Sequence, residues 1–350
     1  MYTKELEILK RKNRLRERRI YPDETVDLAS NDYLGLAEDE EILKNAYLHA
    51  KEFKSHGAKA SMLVNGYHPA HKLLEDYLKE INGFEDALVL GSGFMANMAL
   101  FELGRKGDLF LVDEEYHASG MVGAKITQAE VRFFKHNCLK DLKSKFDKNR
   151  KRIFVVVEGV YSMMGDKVKK EITDFAQQNA TLIIDEAHSV GVLGENLMGI
   201  TDEYSLNPEK TIKMGTLGKA LGSYGAYILA NREIISYLLN RAKSVIYTTA
   251  LSPLDSLLAF YALKTIKQNL NFYKEKINRR KLIFNSESLI KILPAQDPKA
   301  LLLKQKHLLN QNILIGAIRP PTVQSPIFRV ILRTAVKTDI IQKTIDYLKA

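Results

Sequence analysis

The residues of this sequence best suited to chemistry cluster around one lysine. A short apolar segment beginning at Thr211 runs into Thr216-Leu217-Gly218-Lys219-Ala220-Leu221-Gly222, a glycine-spaced turn presenting Thr216 and Lys219. Glycine leaves room beside a ligand, and a lysine desolvated in such a pocket becomes a usable amine nucleophile. A Gly-Lys pair alone is ordinary surface. Weight comes from four further clusters: Gly91-Ser92-Gly93-Phe94, Asp113-Glu114-Glu115-Tyr116-His117-Ala118-Ser119, Glu158-Gly159-Val160-Tyr161-Ser162 and Asp185-Glu186-Ala187-His188. Each follows a run that reads as a β-strand.

Two chemistries compete for this set. Asp185-Glu186-Ala187-His188 matches a helicase family's nucleotide-hydrolysis signature, which a basic chain makes worth weighing. That chemistry needs a G-x-x-x-x-G-K-[ST] phosphate loop, and Ala220 follows Gly218-Lys219 where a magnesium-binding hydroxyl is required. A pyridoxal phosphate site needs a different set. A lysine must carry the cofactor, a carboxylate must face the ring nitrogen, and hydroxyls with helix N-terminal N–H groups must hold the phosphate. Lys219, Asp185, Ser162 with Thr216, the Gly93-Phe94 helix start and a ring-stacking His117 fill those places. Singly, each has an ordinary explanation as a loop histidine, a turn serine or a strand-to-helix glycine. The joint pattern does not.

The elements that must position these residues alternate. Val26 to Gly35 reads as a short strand running into a turn, followed by a helix to about Phe53 and a loop from Ser55 to Gly66. Leu73, Leu74, Tyr77, Leu78 and Ile81 share one helical face over His71 to Ile81. Strands are then expected at Ala87–Leu90, Asp108–Val112, Val131–Phe134, Ile153–Val157 and Thr181–Ile184, with a helix from Gly93 to about Leu103 and an apolar run over Tyr224–Ala230. Continuous apolar runs suit parallel strands buried on both faces. Strand–helix alternation predicts an α/β domain, whose ligands sit beyond the carboxyl ends of the strands. Beyond Ser252-Pro253 the pattern changes to helices near 254–269 and 271–291, then strand-like Ile313–Ile318 and Phe328–Leu332. The expected division is an N-terminal helix and arm (1–36), a large α/β domain (37–252) and a small α+β domain (253–350).

From about Asp27 to Arg333 the sequence resembles the α-oxoamine synthases, pyridoxal-phosphate enzymes that condense an amino acid with an acyl thioester. The matching motifs are Ser30-Asn31-Asp32-Tyr33-Leu34-Gly35, Gly93-Phe94-x-Ala96-Asn97, His117-Ala118-Ser119, Glu158-Gly159-Val160-Tyr161-Ser162-Met163, Asp185-x-Ala187-His188 and Thr216-x-Gly218-Lys219-Ala220. The resemblance implies the aspartate-aminotransferase-like fold (fold type I): a large, mostly parallel sheet with helices on both faces, plus a smaller α+β C-terminal domain. By it, Lys219 carries pyridoxal 5'-phosphate, Asp185 pairs with the ring nitrogen, His117 stacks on the ring and His188 reaches the phenolic oxygen. Gly93, Phe94, Ser162 and Thr216 help to hold the cofactor. The family's homodimer with a shared active site implies that Thr248 and Thr249 reach the partner's phosphate.

Ile318-Arg319-Pro320-Pro321-Thr322-Val323 resembles the biotin-pathway branch of that family. It implies L-alanine and a pimeloyl thioester, of coenzyme A or acyl carrier protein, as substrates. By it, Arg319, Thr322, Arg18, Asn31 and His117 become substrate contacts, with Arg319 on the amino acid's carboxylate, which a guanidinium fork matches. Relatives using glycine with acetyl-CoA or a longer acyl chain are the alternative, and a cofactor-binding regulator without turnover is a third reading. Departures from the family pattern fall at Lys59 and Ala60, where glycines are usual, at Met164, where an acid is common, and at Ser189-Val190.

Composition narrows the rest. The chain has 350 residues, 45% of them hydrophobic, which is enough for a large core. Its one cysteine, Cys138, implies neither a disulfide nor a thiolate metal site; no metal and a cytoplasmic location are expected. The net charge of +10 is diffuse lysine without the interleaved aromatics of a base-stacking surface, so neither nucleic acid nor a membrane is expected as a partner. Met1 to Arg19 reads as a basic amphipathic helix.

Overall fold

A computed structural model describes residues 1–12 and 14–350. The strands, in chain order, are β1 (Val26–Leu28), β2 (Asp86–Leu90), β3 (Leu109–Asp113), β4 (Glu130–Phe134), β5 (Ile153–Glu158), β6 (Thr181–Asp185), β7 (Thr211–Thr216), β8 (Ala226–Ala230), β9 (Ile290–Pro294), β10 (Ile313–Ile318) and β11 (Ile327–Ile331). The chain forms two compact units. The larger comprises Asn31–Leu289 with Arg333–Ala335, and the smaller comprises Met1–Ser30, Ile290–Leu332 and Val336–Ala350. Among the described residues, no helix is long and apolar enough to cross a membrane.

In the larger unit seven strands run in the order β2-β8-β7-β6-β5-β3-β4. The pairings β7–β6–β5–β3–β4 are parallel, while β8 is antiparallel to both of its neighbours. Strands β3 and β5 are buried at every residue, as continuous apolar runs covered on both faces should be. Phe110 lies at the centre of that core, stacked on Phe101 at 4.9 Å and on Phe154 at 4.7 Å. The parallel pairing has one decisive consequence. Glu158, Asp185 and Met214, the last or near-last residues of β5, β6 and β7, lie side by side, because Glu158 registers with Asp185 and Asp185 with Met214.

The helix after β2 starts where expected. Ser92 caps it, accepting the Met95 N–H at 3.3 Å, and it runs over Gly93–Phe101. The expected loop at 55–66 contains Lys59 at φ 62, a left-handed conformation that suits the glycine usual there. At the start of the unit, the Asp32 carboxylate accepts the N–H groups of Gly35 (2.9 Å) and Leu36 (3.0 Å). It also accepts Arg333 Nη2 at 2.9 Å. Burial pushes the Asp32 carboxyl up, and the Arg333 charge opposes that shift. This capped turn fixes the direction of the fully buried Tyr33.

The smaller unit joins both ends of the chain in a sheet of order β1-β10-β11-β9, with β1 parallel to β10 and the other pairs antiparallel. The compact units divide at Leu289/Ile290 rather than at the expected 252/253 boundary. The helix Pro253–Gln268 buries Leu257 against Ala46 and Ala70, so it completes the larger core. The helix expected over 271–291 stops at Phe284, where Asn285 turns left-handed, and β9 follows. The N-terminal helix spans Thr3–Arg11, shorter than expected, and has no buried residue.

Replacing Phe110 with Ala removes the ring between two stacked neighbours. It is expected to lower the unfolding free energy by about 3–5 kcal/mol. Urea titration of the cofactor-free protein checks this; a loss under about 1 kcal/mol would mean that the ring is not part of a close-packed core.

Candidate active site

The carboxyl ends of β2, β3, β5, β6 and β7 surround one cavity of about 230 Å³. Gly93, Phe94, His117, Asp185, His188, Thr216 and Lys219 all line it, joined by Asn97, Ser119 and Glu158. Seven residues singled out in sequence therefore converge from segments spread over more than a hundred positions.

Asp185, at the end of β6, is buried and held from two sides. Its Oδ2 accepts Asn97 Nδ2 at 3.1 Å, and its Oδ1 accepts the Ala187 N–H at 2.9 Å. Asn97 Nδ2 also donates to Ser119 Oγ (2.9 Å), while its Oδ1 accepts the Tyr116 hydroxyl at 2.5 Å. The amide is thus fixed in orientation by partners on both sides. Beside it, Glu158 Oε2 accepts the Ser162 N–H at 3.1 Å. The Glu158 carboxyl is pushed well above the usual carboxylate range, first by burial and then by the Asp185 charge, with Lys219 opposing.

His117 caps the helix Ala118–Ile126. Its Nδ1 accepts the Ser119 N–H at 3.2 Å and lies 2.8 Å from Ser119 Oγ. Accepting at Nδ1 places the ring proton on Nε2. Burial lowers the His117 pKa, Asp185 raises it, and Lys219 adds to the lowering, so the ring is neutral in this site at pH 7.

Lys219 Nζ lies 2.7 Å from His188 Nε2, and His188 Nδ1 lies 2.5 Å from the Tyr33 hydroxyl. These two contacts are linked through the ring. When Tyr33 donates to Nδ1, Nε2 carries the proton and donates to a free amine; the other tautomer requires Lys219 to donate. Lys213, the other lysine of the same stretch, is no competitor for the role. It is fully buried outside the cavity and donates to Asn82 Oδ1 (2.7 Å), Thr201 Oγ1 (3.0 Å) and the Met198 carbonyl. Burial lowers its pKa to about 8.

Pyridoxal phosphate fits this cavity on three observations. Thr216 Oγ1 is buried without a hydrogen-bond partner among the described residues and adjoins the cavity. A Cβ at Gly93 would come within 2.8 Å of Thr216 Cγ2, so glycine leaves that wall open. The Gly93 and Phe94 N–H groups belong to a helix's first turn, where no intrahelical acceptor exists.

The remaining sequence-predicted residues fall outside the lining. Ser162 is buried, and its N–H donates to Glu158, which lines the cavity. Asn31 belongs to the larger unit, with its carbonyl accepting the Tyr33 N–H at 2.9 Å. Thr248 Oγ1 lies 3.9 Å from Met95 Sδ, and Thr249 is exposed. Arg18, Arg319 and Thr322 belong to the smaller unit. Ser189 and Val190 are buried, and Ser189 Oγ donates to Glu186. Met164 is exposed.

The model of the class I and II aminotransferases matches residues 23–348. The chain belongs to that family. Among its relatives, the 8-amino-7-oxononanoate synthase of Helicobacter pylori is 44% identical over 95% of this chain and 92% of its own length. A putative 8-amino-7-oxononanoate synthase of Aquifex aeolicus is 36% identical over 99% and 95%. Among solved structures, the 8-amino-7-oxononanoate synthase of Francisella tularensis superposes with a TM-score of 0.76 at 28% identity, covering 93% of this chain and 97% of that one. A serine palmitoyltransferase of S. paucimobilis with bound pyridoxal phosphate and myriocin has the same fold (TM-score 0.86, 24% identity, 93% and 86% coverage). This class I and II aminotransferase-family chain is an α-oxoamine-synthase-like enzyme that depends on pyridoxal phosphate.

Asn97, Glu158 and Tyr33 stand inside the sequence motifs, but nothing local in the sequence marks a separate role for them. Only the fold brings Asn97 to Asp185 and Tyr33 to His188.

Thr216→Val keeps the shape of the side chain and removes only a hydroxyl that no protein group uses. Stability is expected to change by less than about 1 kcal/mol, while the dissociation constant for pyridoxal phosphate rises about tenfold. Fluorescence titration alongside a thermal melt checks both, and unchanged affinity would contradict a cofactor contact at this hydroxyl.

Proposed function

We propose that this chain is an 8-amino-7-oxononanoate synthase, joining L-alanine to a pimeloyl thioester of coenzyme A or acyl carrier protein in biotin biosynthesis. Carbon dioxide and the free thiol carrier are the other products. The observation that carries the reading is the contact of Lys219 Nζ with His188 Nε2 at 2.7 Å inside the cavity that Asp185 and His117 also line. The relatives of that name, matching nearly the whole chain, support the choice of reaction.

Pyridoxal phosphate, when bound, supplies a ring that takes up the electron pair left when a bond to the amino acid's Cα breaks. Asp185 would hold the ring nitrogen, Lys219 would carry the cofactor, and His117 would lay its neutral ring against it. Gly93, Phe94, Ser162 and Thr216 would hold the phosphate end, with His188 at the phenolic oxygen. Once the alanine amino group had taken its place on the cofactor, the freed Lys219 Nζ would be the base that removes the alanine Cα proton, with the Tyr33–His188 pair orienting it through the shared ring. Cα then bonds to the pimeloyl carbonyl carbon as the thiolate leaves. The alanine carboxylate departs as carbon dioxide, and Lys219 returns a proton to Cα. Because Glu158 resists ionisation beside Asp185, it adds little further negative charge to that wall.

Arg319, with Thr322, Arg18 and Asn31, is assigned to the substrate's carboxylate and polar groups. A guanidinium makes the paired contacts that a carboxylate offers. Thr248 and Thr249, absent from the lining of their own chain's cavity, are assigned to the phosphate of a second subunit in a homodimer with shared active sites. A cytoplasmic location accompanies this reading, as the single cysteine leaves no disulfide to form within the chain.

Protein loaded with pyridoxal phosphate and given L-alanine with pimeloyl-CoA is expected to release carbon dioxide and a product with the mass of 8-amino-7-oxononanoate. Lys219→Ala should retain the fold and lose roughly 10²–10⁴-fold or more in turnover. Turnover with glycine and acetyl-CoA, but not with alanine and pimeloyl-CoA, would reject the substrate assignment. Undiminished turnover in Lys219→Ala would reject the site.

A further inference from the structure

Outside the cavity, one side-chain cluster ties together the loops that build its walls. His136 follows β4 and is half-buried. Its Nδ1 lies 2.9 Å from Asp113 Oδ1, and its Nε2 lies 2.8 Å from Asp166 Oδ2. Asp113 is the last residue of β3 and is fully buried. Its Oδ1 also accepts the Glu115 N–H (3.0 Å), and its carbonyl accepts the Tyr116 N–H (3.0 Å), one residue before His117. Asp166 closes the loop after β5. Its carbonyl accepts the Tyr161 N–H at 2.9 Å, so Ser162 sits inside a loop that Asp166 pins. Asn137 doubles the link, with its N–H on Asp113 Oδ2 (3.0 Å) and its Nδ2 on Asp166 Oδ2 (3.1 Å).

Both ring nitrogens of His136 face carboxylate oxygens, so both must donate. A neutral imidazole has one N–H and would turn a lone pair toward the other carboxylate. Two further ionisable groups lie beside His136: Glu114 accepts its backbone N–H at 3.2 Å, and the Tyr161 ring stands edge-on to the imidazole at 4.3 Å.

We propose that His136 is a positioning residue. Donating from both nitrogens, it sets the loop carrying His117 against the loop carrying Ser162, and so shapes the seat for pyridoxal phosphate. The inference rests on the reading of the cavity as the cofactor site. The ring bonds of His136 run to Asp113 and Asp166, and it acts through them.

The titration of the ring agrees with this geometry. Burial acts to lower the His136 pKa, but the bonds to Asp113 and Asp166 and their charges together outweigh it and raise it to about 10. A folded pKa above the unfolded value of roughly 6.5 means that the clamp is complete below pH 6.5. Its contribution is lost as pH rises through about 10.

His136→Gln tests the proposal, because an amide donates from one side only and turns its oxygen toward the other carboxylate. The dissociation constant for pyridoxal phosphate is read by fluorescence titration at pH 7 and pH 10.5, with hydrogen exchange followed over residues 113–119 and 158–168. The expected result is affinity about tenfold weaker at pH 7 and faster exchange in both loops, with the wild-type value moving toward the variant's at high pH. Affinity within about twofold of wild type at pH 7, with unchanged exchange, would overturn the proposal. Should the single variant not fold, His136→Gln combined with Asp166→Asn decides, since the Asn amide can donate to the Gln oxygen. Recovery of affinity to within about threefold of wild type supports the clamp, and affinity no better than that of Asp166→Asn alone overturns it. Wild-type protein that takes up no pyridoxal phosphate would instead overturn the cofactor reading, and this inference with it.

Discussion

Two carboxyl groups end adjacent, hydrogen-bonded strands, and the rest of the site is arranged around that fact. Glu158 and Asp185 are register partners in a parallel pair, so the sheet leaves them no freedom to separate. Burying both as anions would be costly, and each is compensated differently. Asp185 receives an amide from Asn97 and a backbone N–H from Ala187. Glu158 receives the Ser162 N–H and is driven toward its neutral form. Lys219, across the same cavity, supplies the positive charge that opposes the rise in the Glu158 pKa and favours a neutral His117. One strand pairing thereby settles the electrostatics of several side chains.

Reach is the second constraint. A lysine on a turn has four rotatable carbons and needs something to aim at, or its ordering entropy is spent without result. The aim is provided by a chain of contacts starting far from the site. Arg333 and two backbone N–H groups fix Asp32, which fixes the turn holding Tyr33; Tyr33 fixes His188, and His188 meets Lys219. Tyr33 and Lys219 therefore meet opposite nitrogens of one imidazole, and the tautomer that suits one contact sets the donor at the other.

Much of this architecture was legible in the sequence, for identifiable reasons. Strands buried on both faces must be unbroken apolar runs, and Ile153–Val157 and Thr181–Ile184 announce themselves as such, with the polar residues at their ends marking the site. The matching motifs single out Lys219, Asp185, His117 and His188, and the fold brings all four to one cavity. What escaped was tertiary. Tyr33 meets His188 across 155 positions and Asn97 meets Asp185 across 88, and no local pattern signals either pairing. The C-terminal boundary escaped because the helix Pro253–Gln268 has a face that fits either unit, and only its contact with Ala46 and Ala70 decides. Strand β9 escaped because the preceding helical pattern runs smoothly toward it, and the break at Asn285 depends on a left-handed residue rather than on a glycine or proline.

In the proposed reaction Lys219, aimed by His188, takes a proton from the Cα of L-alanine in the cavity lined by Asp185 and His117. It is tested most directly without the second substrate, by holding the protein with pyridoxal phosphate and L-alanine in deuterium oxide and following the Cα proton by NMR. The account predicts that this proton is replaced by deuterium in the wild type and persists in Lys219→Ala. Alanine that keeps its Cα proton in wild-type protein carrying a full complement of the cofactor would contradict it.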